Sequence, residues 1–216
     1  MTAKTFFVTG TDTEIGKTYV TARLVERAQQ LGYRAAAIKP IAAGIGSDGT
    51  NEDVARLIAV NRGVLPGRLV NCYTLAEPIA PHLAASHERK TVDLVQIAAQ
   101  VDEAKERCDL LFVEGVGGWL VPLTDTETVA DLAAHLGSAV ILVVGIRLGC
   151  LNHALLTAQA IAARHLPFAG WIANQIDPTM AVFAENVATL QQWLPAPHLG
   201  TIPFGGDATG VGLALL

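Results

Sequence analysis

A lysine and a threonine near the start of the chain have the types and spacing to handle nucleotide phosphates. The stretch GTDTEIGKT, residues 10–18, follows an apolar run and ends in Gly-Lys-Thr, as phosphate-binding loops do. In such a loop Lys17 reaches the terminal phosphates and the Thr18 hydroxyl binds Mg²⁺. Five residues separate Gly10 from Gly16, whereas the usual loop has four between its glycines. An ordinary strand-to-helix turn is the alternative.

Two acidic residues could complete a Mg²⁺ site. The apolar run DLLFVEG ends in Glu114, which is the Walker B arrangement. A carboxylate directly after an apolar strand needs a partner or a cation. Asp53 lies at the head of a predicted helix in NEDVARL, and there a metal ligand and a simple helix cap formed by residues 51–53 are equally supported.

A second lysine lies at the end of another apolar run. Lys39 follows Ala-Ala-Ala-Ile and precedes Pro40, which forces an extended exit from the strand. Its ammonium group can therefore project over the same crevice as that of Lys17, where two positive charges would favour the approach of anionic groups. A solvated lysine at a strand end is the alternative.

These residues must be positioned by alternating strands and helices. Apolar runs predict strands at residues 4–10, 35–41, 109–115, 139–146 and 168–176. Helical spacing of apolar residues predicts helices at residues 17–32, 92–108, 128–137, 152–165 and 180–194. This pattern is typical of one α/β domain, residues 1–216, with a mainly parallel sheet covered on both faces. Ligands bind such sheets at the carboxyl ends of the strands.

Composition excludes several classes of protein. The 216 residues are 51% hydrophobic and 16% charged, with a formal net charge of -5, which argues against disorder and against a basic nucleic-acid-binding face. The longest apolar run, Ala139–Ile146, is too short to cross a membrane. The first ten residues lack the features of a secretory signal, and three unclustered cysteines argue against disulfides or zinc. A cytoplasmic protein with cysteines packed in its core is therefore expected.

Four motifs together resemble the dethiobiotin synthetase family: GTDTEIGKT, KPIAAG, VEGVGGWLVPL and RLGCLNHALLTAQ. The likeness extends over residues 7–203 and includes the closing GLALL. That family shares the longer glycine spacing, and its fold is of the P-loop nucleoside triphosphatase type. The resemblance implies an ATP- and Mg²⁺-dependent ligase that closes a ureido ring on 7,8-diaminononanoate with CO₂. Carbamate and carbamic–phosphoric anhydride intermediates are implied.

The resemblance also implies roles for individual residues. Lys39 and Lys17 would supply catalytic positive charge, with Thr13 contacting the substrate. Mg²⁺ would be held by Thr18, Asp53 and Glu114. The nucleotide would be bound by Glu14, Ile15, Gly16, Lys17, Thr18, Tyr19, Asp53, Glu114, Gly115, Val116, Gly117, Asn174, Gln175, Pro203, Phe204 and Gly205. The substrate would be bound by Thr13, Lys39, Ala43, Gly149, Leu151 and Asn152.

In this resemblance Asn174 reads the adenine edge, and Pro203–Gly205 form a wall for the base. The helix start at Leu151 and Asn152 belongs to the neighbouring subunit and receives the substrate's carboxylate, so a homodimer is implied. The segment 78–90 resembles a family segment near the substrate.

The chain departs from the family pattern at two places. Ala43 stands where many members have Ser or Thr, which removes a hydroxyl that can help to hold the substrate amine, and the tail after Pro203 is short.

One competing interpretation is a nucleotide-dependent switch like the cell-division and plasmid-partition ATPases. Those carry a lysine early in the loop, where this chain has Gly-Thr-Asp. Another is a cobyrinate amidase, but the chain is too short to hold the additional glutaminase region.

Overall fold

Six parallel strands form the central sheet of the molecule, in the order β2-β5-β1-β6-β7-β8. A computed structural model describes residues 3–213, so residues 1–2 and the last three residues of the GLALL motif lie outside the described part. The strands are β1 (Lys4–Gly10), β2 (Ala35–Ile38), β3 (Ile41–Ala43), β4 (Tyr73–Leu75), β5 (Leu110–Glu114), β6 (Ala139–Gly145), β7 (Phe168–Asn174) and β8 (His198–Ile202). The helices are α1 (Lys17–Gln30), α2 (Glu52–Val60), α3 (Pro81–His87), α4 (Leu94–Lys105), α5 (Val129–Leu136), α6 (Cys150–Ala162) and α7 (Phe183–Trp193), with a 3₁₀ turn at Gly67–Leu69.

Helices cover both faces of the sheet because its strands are apolar on both sides. Successive residues of a strand point to opposite faces, and Phe6 and Phe7 accordingly belong to two different core clusters. The cluster of Phe6 contains the apolar residues of α1 and α2, and that of Phe7 those of α3 to α7. The predicted α/β class is confirmed. Since β1 pairs with both β5 and β6, the loop after it emerges at the centre of the sheet's carboxyl edge.

The predicted strand 35–41 is wrong, because the chain changes sheets within it. Strand β2 ends at Ile38, and β3 pairs with β4 in a separate two-stranded parallel sheet. Pro40 has no N–H to donate to a ladder, and the backbone N–H of Lys39 donates to Val70 O at 2.7 Å instead of to the central sheet. Lys39 therefore leaves the central sheet directly after β2 ends, at the carboxyl edge of the sheet.

A buried asparagine fixes the strand that precedes Lys39. Asn61 is fully buried beside β2, the edge strand of the central sheet. Its Nδ2 donates to Ala37 O at 2.8 Å, and its Oδ1 accepts from Ala37 N at 2.8 Å. These two hydrogen bonds satisfy edge groups that would otherwise be buried without partners. The side chain thus takes the place of a neighbouring strand.

All six predicted helices are present, and the one predicted at NEDVARL is α2. The five predicted with bounds are each shorter than expected, and α6 begins two residues earlier. Gly137 ends α5 with a φ of 59°, the left-handed conformation that favours glycine there. The short elements α3, β4 and β8 have no counterpart among the predicted elements. Cys108 and Cys150 are buried and Cys72 is half-buried against the core. Between residues 3 and 213, no helix has the length and apolar character to cross a membrane.

Candidate active site

The loop between β1 and α1 contains two residues with positive φ and is anchored by one buried side chain. Gly16 adopts a φ of 79° directly before α1, and Glu14 adopts a φ of 58°, which is uncommon for a residue with a side chain. Ile15 is buried beneath the loop. A Cβ atom added to Gly10 would lie 2.7 Å from Ile15 Cδ1, so only glycine leaves room for this anchor. Thr13 and Glu14 are left exposed at the rim.

Lys17 lies at the start of α1 and turns back across the loop. Its Nζ donates to Asp12 O at 2.7 Å, and only 7% of the residue is exposed. Burial lowers the pKa of Lys17 to about 8, although the charge of Glu114 opposes this effect. Arg147, just after β6, forms an ion pair with the side chain of Asp12. Asp12 and Arg147 have no role among the sequence predictions, although a basic residue that follows an apolar strand, as Arg147 does, was an available signal.

The predicted metal ligands converge on the ammonium group of Lys39. Its Nζ donates to Glu114 Oε1 at 2.9 Å and to Thr18 Oγ1 at 3.3 Å, and it also donates to Asp53 Oδ2. The Thr18 hydroxyl in turn donates to Glu114 Oε1. Lys39 and Glu114 are 6% and 1% exposed, so their ion pair is almost fully shielded from water.

The charges in this cluster support one another. Burial disfavours the Lys39 ammonium group, but the carboxylates of Glu114 and Asp53 outweigh burial and raise the pKa of Lys39. Burial likewise opposes ionisation of Asp53, while Lys39 outweighs it and lowers the pKa of Asp53. The site therefore holds one ammonium between two carboxylates.

Asp53 contacts Lys39 and does not cap α2, while its role as a metal ligand stays a prediction. Asn51 caps α2, since its side chain accepts from Val54 N at 3.1 Å. The side chain of Asp53 is thus not needed for the cap and contacts Lys39 instead.

One carboxylate oxygen of this cluster is available to bind a cation. Glu114 Oε2 is buried and has no hydrogen-bond partner among the residues described. A buried carboxylate oxygen without a donor is costly unless a cation or another donor satisfies it. Thr18, Asp53 and Glu114 form an oxygen donor set of the kind that Mg²⁺ prefers, completed in nucleotide sites by phosphates and water.

A cavity of about 630 Å³ opens beside this cluster. It is lined by Thr13, Glu14, Gly16, Lys17, Thr18, Tyr19, Lys39, Ala43, Asp53, Arg56, Pro78, Ile79, Ala80, Val116, Gly117 and Val121. The loop, the two lysines and the acid of α2 thus share one space with the apolar residues Ala43, 78–80 and Val121. Arg56 and Val121 were absent from the residues singled out in the sequence. No periodic pattern marks either of them.

Several predicted nucleotide residues lie outside the lining of this cavity: Ile15, Glu114, Gly115, Asn174, Gln175, Pro203, Phe204 and Gly205. Asn174 is buried beneath the loop, where its Nδ2 donates to Ile15 O at 2.8 Å. Gln175 Oε1 accepts from Phe204 N at 3.3 Å. The structure therefore shows Asn174 supporting the loop, and its contact with a base stays a prediction.

The tail after β8 is joined to α1. The hydroxyl of Tyr19 donates to Gly206 O, while Pro203, Phe204 and Gly205 are exposed beside it. The Arg23 guanidinium lies 4.9 Å from the centre of the Tyr19 ring.

The start of α6 lies apart from this cavity. Gly149 precedes the helix with a φ of 92°, and Leu151 and Asn152 lie in its first turn. None of the three is among the residues that line the cavity within one protomer. Leu148, next to them, is 97% exposed.

Comparison with known proteins identifies the family. A family model described as an AAA domain matches residues 4–210. The ATP-dependent dethiobiotin synthetase BioD of Ralstonia nicotianae is 52% identical over 200 residues, which cover 91% of this chain and 87% of the relative. The chain belongs to the dethiobiotin synthetase family. The predictions of this family and of an ATP-dependent enzyme are confirmed.

Solved structures of cell division proteins share the fold. The MinC:MinD cell division protein complex of Aquifex aeolicus matches with a TM-score of 0.57 at 18% identity, covering 93% of this chain and 81% of that chain. The septum site-determining protein MinD of Pyrococcus horikoshii, complexed with Mg-ADP, matches with a TM-score of 0.53 at 19% identity, covering 94% and 82%. At this identity the likeness concerns the fold alone. The dethiobiotin synthetase relationship is therefore favoured over the switch ATPases.

The lowered pKa of Lys17 predicts a specific dependence of stability on pH. Between about pH 8 and the ordinary value of 10.5, the unfolded chain keeps a proton on Lys17 that the folded chain has lost. The contribution of Lys17 to the free energy of unfolding therefore rises with pH across this window, by at most about 3 kcal/mol. Urea denaturation at a series of pH values should show a steeper rise for the wild type than for Lys17→Met.

The control is Lys105→Met, since Lys105 pairs with Asp102 on the outer side of α4. That variant should follow the wild-type pH dependence. Parallel curves for the wild type and Lys17→Met would contradict the assignment.

Proposed function

We propose that the chain catalyses the ATP- and Mg²⁺-dependent closure of a ureido ring on 7,8-diaminononanoate with CO₂, giving dethiobiotin, ADP and phosphate. The observation that carries the proposal is the pair of buried ammonium groups, Lys17 and Lys39, beside one cavity with Thr18 and Asp53. A nucleotide and a carbamate are both anionic, so a site that brings them together needs concentrated positive charge.

The proposed reaction has three bond-forming steps. First, one amine nitrogen of the substrate bonds to the carbon of CO₂ and gives up a proton, forming a carbamate. Second, a carbamate oxygen bonds to the γ-phosphorus while the bond from that phosphorus to ADP breaks. Third, the other amine attacks the carbamate carbon, gives up a proton and expels phosphate, which departs with that carbamate oxygen.

Each polar residue of the cavity has a role in this scheme. Lys17 stabilises the charge on the terminal phosphates, and Lys39 holds the carbamate oxygens near the γ-phosphate. Thr13, exposed on the rim of the loop, contacts the substrate. Thr18, Asp53 and Glu114 would hold Mg²⁺, which would neutralise phosphate charge.

The remaining nucleotide contacts are proposed for two regions. Residues 14–19 and 115–117 follow the phosphates, and the base lies toward Asn174, Gln175 and Pro203–Gly205. The hydrogen bonds of Tyr19 to Gly206 and of Phe204 to Gln175 hold these segments near one another, which supports the placement.

The apolar residues that line the cavity fit the carbon chain of the diamine. Ala43, Ile79 and Val121 line the cavity with aliphatic surface. Burying methylene groups there contributes about 0.8 kcal/mol for each one. Ala43 has no hydroxyl group for the substrate amine, so recognition of the amines depends on Thr13 and on backbone carbonyl groups.

The substrate's carboxylate is proposed to bind a second copy of the chain. Gly149, Leu151 and Asn152 lie at the amino end of α6, where free N–H groups favour an anion. They lie outside the cavity of their own protomer, and the neighbouring Leu148 is exposed. A homodimer of single-domain chains, each domain comprising residues 1–216, would place this helix start against the partner's cavity. A cytoplasmic location without nucleic-acid partners accompanies the proposal.

Removal of the Lys39 ammonium group tests the proposed chemistry. Lys39→Ala should lower phosphate release in the presence of Mg-ATP, diaminononanoate and bicarbonate by about 10²–10³-fold, because the carbamate loses its positive partner. The assay measures phosphate release together with the mass of the organic product. Lys105→Ala, a change on the surface of α4, should keep wild-type activity.

Wild-type phosphate release should depend on both co-substrates. Hydrolysis that proceeds equally well without the diamine, and that yields no cyclic urea, would overturn the proposal and favour a switch ATPase.

Mixing two inactive variants tests the shared site. Asn152→Asp places a carboxylate against that of the substrate, and Lys39→Ala disables the cavity. In a mixed dimer one site carries both changes and the other carries neither, so exchange of subunits should restore about a quarter of wild-type activity. The measurement is product formation at low diamine concentration after equal amounts of the two variants are mixed. No recovery despite demonstrated subunit exchange would contradict the placement of Asn152 in its partner's site.

A further inference from the structure

A second cavity of about 430 Å³ lies between α1 and α2 and adjoins the main one. It is lined by Tyr19, Ala22, Arg23, Glu26, Arg56, Ala59, Val60 and Arg62. Three arginines and a single acid surround this space in a chain whose net charge is -5. Positive charge is thus concentrated beside the loop, where it raises the local concentration of anions.

The three arginines differ in what they contact. Arg23 forms an ion pair with Glu26 at 2.7 Å and stacks on Tyr19, so its charge is already paired. Arg62 lines the second cavity but not the main one. Arg56 lines both cavities and, among residues 3–213, forms no salt bridge with a carboxylate.

The position of Arg56 is fixed by its helix. Residues three apart on a helix lie on the same face, so Arg56 follows Asp53 by one turn on the face that meets the loop. Asp53 is tied to Lys39, and Lys39 to Thr18 of α1. This chain of contacts holds that face of α2 opposite the first turn of α1. Like Arg56, Tyr19 lines both cavities, and it is the residue after Thr18.

We propose that Arg56 binds the phosphate chain of the nucleotide from the side opposite the loop. The inference rests on the proposed function only in taking a nucleoside triphosphate as the ligand. The loop, the start of α1 and Arg56 line the same cavity, so phosphates bound at the loop would share a space with the Arg56 side chain. A guanidinium group donates two parallel hydrogen bonds to phosphate oxygens and stays charged at every pH relevant to proteins. Arg56 is a binding residue, additional to Lys17 and Thr18.

Direct binding of Mg-ATP, measured by calorimetry without diamine or bicarbonate, tests this role. Arg56→Gln should raise the Kd by about tenfold, since a charge-assisted pair is lost. Arg56→Lys, which keeps the charge but not the paired donors, should raise it by about threefold. Arg62→Gln is the matched control from the same cavity and should stay within about twofold of the wild type.

The outcomes are separable from those of the ring-closure assay. An unchanged Kd for Arg56→Gln, or an equal loss for Arg62→Gln, would overturn the role of Arg56 whatever reaction the wild type performs. A raised Kd for both ATP and ADP would support the role and indicate contact with a phosphate that both nucleotides carry. A raised Kd for ATP alone would support it and indicate contact with the γ-phosphate. Arg56→Gln should melt at the wild-type temperature, because Arg56 makes no ion pair among the described residues. A raised Kd that is accompanied by a lowered melting temperature would count against the proposal.

Discussion

The buried ion pair between Lys39 and Glu114 is the interaction on which the rest of the site depends. Glu114 ends β5, the strand next to the edge strand β2, and is almost wholly shielded from water. A carboxylate in such a place is strongly destabilising unless a cation accompanies it. Lys39 supplies that cation from the neighbouring strand, and Thr18 and Asp53 add hydrogen bonds from two different helices. One small cluster therefore joins the start of α1, the carboxyl ends of the adjacent strands β2 and β5, and α2.

Other features of the fold can be understood as supports for this pair. The break at Pro40 ends β2 where Lys39 must turn over the edge, and Asn61 holds the strand two residues earlier. Asn51 caps α2 and so leaves the side chain of Asp53 available for Lys39. The cavity is lined both by this polar cluster and by aliphatic side chains such as Ile79. That combination suits a ligand with charged reacting groups on a hydrocarbon chain.

Much of this could be predicted from sequence because the signals were local. The Gly-Lys-Thr loop, the acid that ends an apolar strand and the lysine before a proline are each recognisable from a few consecutive residues. Parallel strands then bring their carboxyl ends together. The alternation of apolar runs and helical spacing likewise determined the α/β class, with its helices at nearly their observed positions.

What escaped prediction depends on contacts between distant parts of the chain. Strand β3 exists because residues 73–75 pair with it, and no local sequence pattern predicts a pairing strand 32 positions away. Arg56 could not be singled out without knowing which face of α2 meets the loop. Asn174 follows an apolar strand as expected, but the approach of its amide to Ile15 O depends on how the loop folds over it. Tyr19 reaches Gly206 across 187 positions in sequence.

The central claim is that a carbamate oxygen of the bound substrate receives the γ-phosphoryl group. The most direct measurement supplies freshly dissolved CO₂ labelled with ¹⁸O in ordinary water, quenches the reaction early and determines the mass of the phosphate released. Transfer through a carbamic–phosphoric anhydride places one labelled oxygen in the phosphate for each ring closed. Unlabelled phosphate, formed while dethiobiotin accumulates or without it, would show that water or another group accepts the phosphoryl group and would contradict the account.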